Sequence, residues 1–312
     1  MKKFLAVAAM MAVGSIYAEE LKFGDLNYFL KQGQFNVAAD AKVNNEEERI
    51  GGNDNLQVDG FYINSKFTYA LANNLNIFLG LDYLFDVETD VNDKTYNTSG
   101  LQNPKFGANF RVMNQNDGAF NLDLGAFAQV KVLDREVGST DPSKKGNTLD
   151  PLYSNHSDIR NTLGVNARVG KKWNEANEVY FLVGADYHLA GDYDKKGTST
   201  ENVDLEDSLD LKAAAFYQYR PVHEFMMTLG LTGTRFGDLD GEDSNNDVTY
   251  TNHIDASFLF DAKYLITENF IAKFAFSKDR RGEFTFEEEG SSDADVDKRE
   301  ATTYGLGVDF LF

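Results

Sequence analysis

Apolar and polar residues alternate along most of this chain from about residue 33 onward. In the last run, Ala301–Phe312, apolar or aromatic residues occupy every second position and Thr, Gly and Asp fill the gaps. A β-strand turns successive side chains to opposite faces, so each such run predicts a strand with one apolar face and one polar or small face. Twelve runs of this kind can be distinguished. We therefore predict an all-β protein.

The connections between these runs alternate in length. Those after the even-numbered runs contain a few residues each, whereas those after the odd-numbered runs are long, polar and acidic, as in 44–55, 133–157 and 280–298. Short turns at one end and long loops at the other are typical of bacterial outer-membrane barrels. The pattern predicts a transmembrane, antiparallel up-and-down β-barrel of about twelve strands, with short periplasmic turns and long acidic extracellular loops. The first run, 33–43, must then pair with the last, because an open edge would leave backbone groups unsatisfied in lipid.

A soluble β-sandwich or lipocalin-like protein would also show alternation, with its apolar face turned inward. Two observations favour the membrane barrel. The runs have a uniform length of roughly 10 to 12 residues, which spans a bilayer when the strand is tilted. Aromatic residues also concentrate at the two ends of the predicted outer face, with Trp173, Tyr219 and Tyr264 near short turns and Tyr83 and Phe276 towards long loops. Such belts mark the two membrane interfaces.

The N-terminus has the layout of a secretory signal peptide. Residues 1–18 contain a basic start, a short apolar stretch and a small-residue end, and cleavage is predicted after Ala18. Residues 19–32 follow as a predicted periplasmic N-terminal segment, and the barrel occupies 33–312. The apolar residues of 19–32 have roughly helical spacing. A short amphipathic piece at the barrel mouth or inside the lumen is one interpretation, and an ordered lead-in to the first strand is the favoured one.

Composition narrows the function classes. The chain has no cysteine, so it forms no disulfide framework and no thiolate metal site. Asp and Glu number 50 against 30 Lys and Arg, for a formal net charge of −20. Such acidity argues against nucleic-acid binding, which uses basic patches. No cofactor is expected.

Charged residues at inward positions are the candidates for lining a pore. Acidic and basic residues nearly balance there, while the acidic excess lies in the loops. Ionisable groups inside a membrane protein face water or one another. A wet lumen would be a narrow pore for small polar solutes, whereas tight pairing would close the barrel. The inward charged residues are Asp40, Lys42, Lys105 and Asp309, together with the pore-lining candidates Lys66, Asp82, Asp86, Arg111, Asp123, Lys131, Arg160, Arg168, Asp186, Asp210, Lys212, Arg220, Asp255, Asp261 and Lys273.

Hairpin geometry predicts partners for some of these charges, and opposite charges on neighbouring strands stabilise a sheet modestly. The expected ion pairs are Asp261 opposite Lys273, Lys66 diagonal to Asp82, and Arg111 diagonal to Asp123.

Inward glycines leave room for inward aromatic rings such as Phe78 and Phe127. Three roles are open for these rings: they narrow the lumen, contact a solute or simply fill a small barrel.

Enzymatic and metal-binding interpretations are weaker. His253, Asp255 and Ser257 share one face of the tenth run, but alternation turns them inward, whereas outer-membrane phospholipases direct their catalytic residues to the lipid. The acidic loop 238–243 lacks the full EF-hand spacing. A solvated loop is favoured there, and loop carboxylates are expected to share divalent cations with lipopolysaccharide.

Taken with the terminal Phe312, these features resemble the porin-like outer-membrane β-barrels of Gram-negative bacteria. In that class the C-terminal strand is read by the barrel-assembly machinery, which implies an assembly signal at Tyr304, Phe310 and Phe312. The resemblance also implies outer-membrane lipid, lipopolysaccharide and periplasmic chaperones as partners. A narrow channel for passive diffusion of small polar solutes or ions is the expected function. A closed surface barrel with an adhesive or envelope-structural role is the alternative, and an outer-membrane lipid hydrolase is less favoured.

Overall fold

The computed structural model describes residues 23–50, 54–91, 94–116, 119–132, 138–139, 160–196, 200–243, 246–288 and 294–312. Within these ranges the regular secondary structure is entirely β-strand, as the period-two pattern predicts. No helix in this part of the chain is long and apolar enough to cross a membrane. The predicted signal peptide lies outside the described residues.

The strands belong to one continuous antiparallel sheet. In chain order the strands are β1 (Phe35–Ile50), β2 (Asp54–Ala72), β3 (Leu75–Val91), β4 (Lys94–Leu101), β5 (Lys105–Met113), β6 (Asn121–Gln129), β7 (Gly138–Ser139), β8 (Thr162–Asn174), β9 (Asn177–His188), β10 (Gly191–Lys196), β11 (Thr200–Leu205), β12 (Ser208–Val222), β13 (Phe225–Phe236), β14 (Leu239–Asp243), β15 (Asn246–Tyr250), β16 (His253–Thr267), β17 (Phe270–Arg281), β18 (Phe284–Glu288) and β19 (Ala294–Leu311). Twelve of these strands form the wall of a barrel: β1, β2, β3, β5, β6, β8, β9, β12, β13, β16, β17 and β19.

The first and last strands close the barrel. β1 pairs with β19 from Asn36 opposite Leu311 to Ile50 opposite Val296. Beyond this ladder, the Phe35 amide donates to the Phe312 carbonyl at 2.9 Å, and the Phe312 amide donates back to the Phe35 carbonyl at 2.7 Å. Closure removes the free edges that an open sheet would expose. The predicted closed twelve-strand antiparallel barrel is confirmed.

The two ends of the barrel differ, and we call them the short-turn end and the long-loop end. At the long-loop end several strands continue beyond the wall. β10 pairs with β11 and β14 with β15 as added hairpins. The first predicted loop, 44–55, is largely strand as well, because β1 and β2 remain paired as far as Ile50 opposite Asp54.

Apolar side chains face outward and polar side chains face inward. Leu231 and Leu306 are 64% and 68% exposed on the outer face, whereas Arg111, Asp123 and Asp210 are buried within the barrel. This distribution is the reverse of that in a soluble protein and matches the alternation of transmembrane barrels. It contradicts the soluble-sandwich alternative, which requires an apolar interior.

The main cluster of buried apolar side chains lies at the short-turn end, inside the barrel. Its wall members occupy inward positions at the ends of their strands, where polar residues would be expected, and its other members belong to the segment that precedes β1. The segment, residues 23–34, contains turns and irregular backbone rather than a helix. The cluster consists of Phe23, Leu30, Ala70, Met226, Leu265, Ile271 and Leu311.

Candidate functional site

The middle of the lumen contains a cavity of about 470 Å³. Its wall is formed mainly by inward side chains of β1, β2, β3, β5, β6, β8 and β9. Charged groups, amides and aromatic rings all contribute, so the cavity is polar and of mixed charge. It is lined by Asp40, Asn64, Ser65, Lys66, Phe78, Gly80, Asp82, Lys105, Asn109, Phe127, Asn166, Arg168, Tyr180 and Leu182.

Two lysines of the cavity flank a glycine on the intervening strand. Lys66 on β2 lies opposite Gly80 on β3, and Gly80 lies opposite Lys105 on β5. The Lys66 Nζ lies 4.5 Å from the Phe78 ring centroid, and the Lys105 Nζ lies 3.4 Å from the Phe127 ring centroid. Both are cation–π contacts. Within the described residues, neither ammonium has a carboxylate at ion-pair distance.

The rings under these lysines pack their outer edges against the backbone of two glycines. A Cβ at Gly107 would fall 2.4 Å from the Phe78 Cζ, and one at Gly164 would fall 2.0 Å from the Phe127 Cε1. Any side chain at either glycine would push the ring into the lumen. The rings therefore both fill space at the wall and line the cavity, so these two interpretations of the inward rings are compatible.

The Asp123 carboxylate forms ion pairs with two arginines, one of which, Arg168, lines the cavity. The Arg111 Nε lies 2.7 Å from the Asp123 Oδ1, and the Arg168 Nη2 lies 3.3 Å from the Asp123 Oδ2. Arg111 stands directly opposite Asp123. The predicted ion pair of Arg111 with Asp123 is therefore present, but directly across the hairpin instead of diagonally, since a bulge between Arg111 and Met113 shifts the pairing near the turn.

Lys273 has partners on the two strands that close the barrel. Its Nζ lies 2.8 Å from the Oδ1 atoms of both Asp40 and Asp309. It stands opposite Lys263, whereas Asp261 stands opposite Ala275, so the predicted Asp261–Lys273 pair was wrong. A register shift between Leu265 and Thr267 displaces the hairpin.

Further candidates pair towards the long-loop end. The Lys212 Nζ lies 2.5 Å from the Asp186 Oδ2. The His188 Nε2 lies 2.9 Å from the Asp210 Oδ2. The Arg281 Nε lies 3.5 Å from the Asp255 Oδ2. Each contact joins a carboxylate to a basic or imidazole side chain on an adjacent strand.

The remaining candidates are dispersed. The predicted pair of Lys66 and Asp82 does not form, because neither side chain has an ion-pair partner in the described part of the chain. Arg160 is buried and donates to the Glu206 carbonyl at 2.9 Å. Lys131 lies just beyond β6 at the long-loop end. The side chain of Asp86 lies outside the described part of the structure.

The N-terminal segment enters the lumen at the short-turn end, where Asp25 anchors it. The buried Asp25 carboxylate accepts a hydrogen bond from the Lys172 Nζ at 2.9 Å and another from the Arg220 guanidinium. The Lys263 Nζ donates to the Gly24 carbonyl at 3.0 Å. Buried charges of this kind are stable only when paired. Arg220, a pore-lining candidate, thus holds the segment instead of facing an open pore.

Side chains of the wall also satisfy the backbone of the segment. The Leu26 amide donates to the Glu178 Oε1 at 2.9 Å and to the Gln218 Oε1 at 3.2 Å. The Arg111 Nη2 donates to the Asn27 carbonyl at 3.0 Å. The last residues of the segment, Gly33 and Gln34, exchange backbone hydrogen bonds with Ala70 of β2. The residues before them form no ladder with the sheet, so these polar contacts replace the hydrogen bonds that a strand would supply.

Small residues permit the close fit. Gly24 has a φ of +91°, in the left-handed region that favours glycine, and a Cβ there would fall 2.6 Å from the Ile271 Cδ1. The Asn27 amide covers Gly170 so closely that a Cβ at Gly170 would fall 2.7 Å from the Asn27 Cγ. Burial raises the pKa of Tyr28 to about 12, and its protonated hydroxyl donates to the Gln34 Oε1 at 2.9 Å.

The segment lies across the lumen. Its apolar side chains pack on β2, β13, β16, β17 and β19, while its polar groups contact β5, β8, β9 and β12 on the other side of the wall. The sequence carried a signal of this arrangement: Met226, Leu265, Ile271 and Leu311 are apolar at inward positions. A lumen filled with water would not favour such residues.

The residues of the weaker interpretations do not assemble into a site. The His253 ring stacks between Phe236 and Phe284, and its Nε2 lies 3.7 Å from the Asp255 Oδ1. No hydrogen bond joins Ser257 to His253 in the described residues. In the same ranges, no group of three or more His, Cys, Asp or Glu residues is placed to hold a metal ion.

The predicted assembly residues are near the closing seam. The Phe310 ring stacks on Phe270 with centroids 4.6 Å apart, and the Phe312 ring lies 6.2 Å from that of Phe35. Tyr304 is 53% exposed on the outer face. Their role in assembly stays a prediction.

Comparisons with known proteins place the fold among outer-membrane barrels. No protein-family model matches the chain, and no curated protein matches its sequence. An outer membrane channel from Pseudomonas putida F1 is similar in structure, with a TM-score of 0.57 and 13% identity over 94% of this chain and 100% of that chain. The translocator domain of the autotransporter NalP from Neisseria meningitidis has a TM-score of 0.52 and 12% identity over 99% of this chain and 93% of that chain. The predicted resemblance to outer-membrane barrels is confirmed at the level of the fold.

Proposed function

We propose that this protein is a porin-like channel through which small polar solutes or ions diffuse passively. The observation that carries the proposal is the central cavity of about 470 Å³, lined by charged and amide side chains inside a closed barrel. A barrel that served only as a scaffold would be expected to fill this space with paired or apolar side chains. The similar barrel from Pseudomonas putida F1 is described as a channel, which supports the same role here.

The proposed location is the outer membrane of a Gram-negative bacterium. The signal-peptide pattern of residues 1–18 supports export. The outward apolar band supports contact with lipid, and the acidic loops support contact with lipopolysaccharide through shared divalent cations. Barrel-assembly machinery and periplasmic chaperones are the partners proposed for insertion.

In this proposal the N-terminal segment is the movable closure of the channel. It crosses the lumen at the short-turn end, so solutes pass only when it shifts. Ion pairs and hydrogen bonds such as those of Asp25 and Glu178 can be exchanged for contacts with water, and residues 23–32 have no backbone pairing with the sheet to break.

A closed surface barrel is the second candidate function. The observation that favours it is the same segment, because its burial of Phe23 and Leu30 would also suit a permanent seal. The two functions differ in whether the segment leaves the lumen.

A reversible cross-link distinguishes them. The chain has no native cysteine, so an Asn27→Cys/Gly170→Cys variant contains one possible disulfide. The Asn27 Cγ lies 2.7 Å from the position of a Cβ at Gly170, which places two cysteines within bonding reach. We expect unit conductance steps in planar bilayers from the wild type and from the reduced variant, and loss of these steps on oxidation.

The single variants Asn27→Cys and Gly170→Cys are the matched controls, and their conductance is expected to be insensitive to the oxidant. Absence of steps from folded wild type and from every reduced variant would refute the channel and leave the closed barrel. Equal conductance of the oxidised and reduced double variant would show that the segment does not control the pore.

A further inference from the structure

We propose that the central cavity is a binding site for small organic anions, with Lys66 and Lys105 as the groups that recognise a carboxylate. This proposal rests on the channel function proposed above and names the class of solute. Inward residues of the cavity form two neighbouring rows across β1, β2, β3 and β5. One row contains the two lysines, and the other contains Asp40 and Asp82.

The lysine row presents unpaired positive charge. Successive strands are about 4.8 Å apart, so the Cα atoms of Lys66 and Lys105 are separated by roughly 10 Å across Gly80. Gly80 has no side chain, so space is left between the two lysine side chains. A short dicarboxylate lying across Gly80 would present one carboxylate to each ammonium, and ionised partners of this kind make the stronger hydrogen bonds.

The rings hold the lysines in this arrangement. Each lysine lies on a phenylalanine diagonal to it on the next strand, and each ring covers a glycine on the strand after that. Lys66, Phe78 and Gly107 form this arrangement on β2, β3 and β5. Lys105, Phe127 and Gly164 repeat it on β5, β6 and β8. A cation–π contact positions an ammonium without neutralising its charge, so both lysines remain available to an anion.

The acidic row offsets this charge only in part. Asp40 shares the Lys273 ammonium with Asp309, each at 2.8 Å, so these three groups together carry one net negative charge. Asp82 is the one lining carboxylate in the described residues without an ion-pair partner. Arg168 adds to the positive side, because it shares the single carboxylate of Asp123 with Arg111. The unpaired charge at the cavity therefore favours an anion.

The remaining lining favours an organic anion over a simple halide. Asn64, Asn109 and Asn166 contribute amides, which can bond hydroxyl or carboxylate oxygens. The Asn64 Oδ1 and the Arg168 Nε are buried without a hydrogen-bond partner. Buried polar atoms of this kind are normally satisfied. A carboxylate in the cavity would accept a hydrogen bond from the Arg168 Nε, and a hydroxyl group of the solute would donate one to the Asn64 Oδ1.

Calorimetry with succinate tests the site independently of conduction. The full-length barrel is refolded in detergent and titrated with succinate, alongside Lys66→Gln/Lys105→Gln and the control Lys278→Gln. Lys278 is on the outer face, where its side chain is 55% exposed. We expect the double variant to bind succinate at least about tenfold more weakly, the size of effect given by losing one or two charged hydrogen bonds, and Lys278→Gln to bind as the wild type does. Uncharged succinamide is expected to bind weakly to all three.

Circular dichroism confirms that each variant is folded before titration. Equal succinate affinity in the wild type and the double variant would overturn the site, as would an equal loss in Lys278→Gln. A barrel that conducts without a lysine-dependent affinity refutes the anion site alone. A barrel that binds succinate through the two lysines but never conducts refutes the channel alone.

Discussion

Arg111 joins the wall of the barrel to the segment inside it. It pairs with Asp123 at 2.7 Å, donates to the Asn27 carbonyl at 3.0 Å and lies 4.6 Å from the Phe29 ring centroid. Both side chains of the ion pair are nearly buried. Removing one partner of a buried pair leaves an uncompensated charge.

We predict that Arg111→Met lowers the free energy of unfolding by about 3 kcal/mol, at the low end for a broken buried pair because Arg168 still contacts Asp123. Urea titration in lipid vesicles measures this, with fluorescence from Trp173, the one tryptophan of the chain. The control Lys278→Met breaks the exposed pair with Glu300 and is expected to cost less than about 1 kcal/mol. Equal losses in the two variants would contradict a special role for the buried pair.

Alternation in the sequence predicts which charged residues face inward, because parity depends only on local strand geometry. It assigned Arg111, Asp123 and Lys273 to the interior, as observed. It also paired Arg111 with Asp123 correctly, but it gave Lys273 the wrong partner, since a register shift near a turn displaces the ladder and leaves no signal in the alternation. Lys273 is the clearest case, because its acidic partners Asp40 and Asp309 belong to β1 and β19. The turn between β16 and β17 does not determine how β17 pairs with these strands.

The closing strand, β19, gives the prediction at the scale of an element. Phe312 contributes an aromatic ring at the seam and two backbone hydrogen bonds to Phe35. We predict that deleting Phe312 reduces the yield of assembled barrel several-fold in cells, while the barrels that do assemble keep their unit conductance. Quantification of the outer-membrane fraction and planar-bilayer recording give the two values.

A Phe312→Ala variant separates the ring from the backbone. It keeps the hydrogen bonds with Phe35, so a loss of assembly equal to that of the deletion would assign the effect to the ring as a signal. Normal assembly of both variants would contradict the interpretation of this terminus as an assembly signal.

The wall strands were predictable because each one repeats the same local pattern. The hairpins β10–β11 and β14–β15 were not, since their residues are mostly polar and their few apolar positions do not stand out from a loop. The N-terminal segment was harder still. Its apolar residues suggested helical spacing, but hydrogen bonds that its backbone donates to wall residues such as Glu178 and Gln218 hold it in turns. Such long-range contacts leave no trace in the sequence of the segment itself.

The molecule as a whole places apolar side chains outside and polar side chains inside. The same substitution at two adjacent positions should therefore change the free energy of unfolding by different amounts. Leu231 is 64% exposed in the middle of β13, and Thr232, the next residue, turns into the lumen opposite Ser257. We predict that Leu231→Arg lowers the free energy of unfolding in vesicles by about 2–4 kcal/mol, because arginine at the bilayer midplane is costly. Thr232→Arg is expected to cost less than about 1 kcal/mol, because its guanidinium remains in a polar lumen. Urea titration of both variants in the same lipid gives the comparison, and equal costs would show that the outer face does not meet lipid.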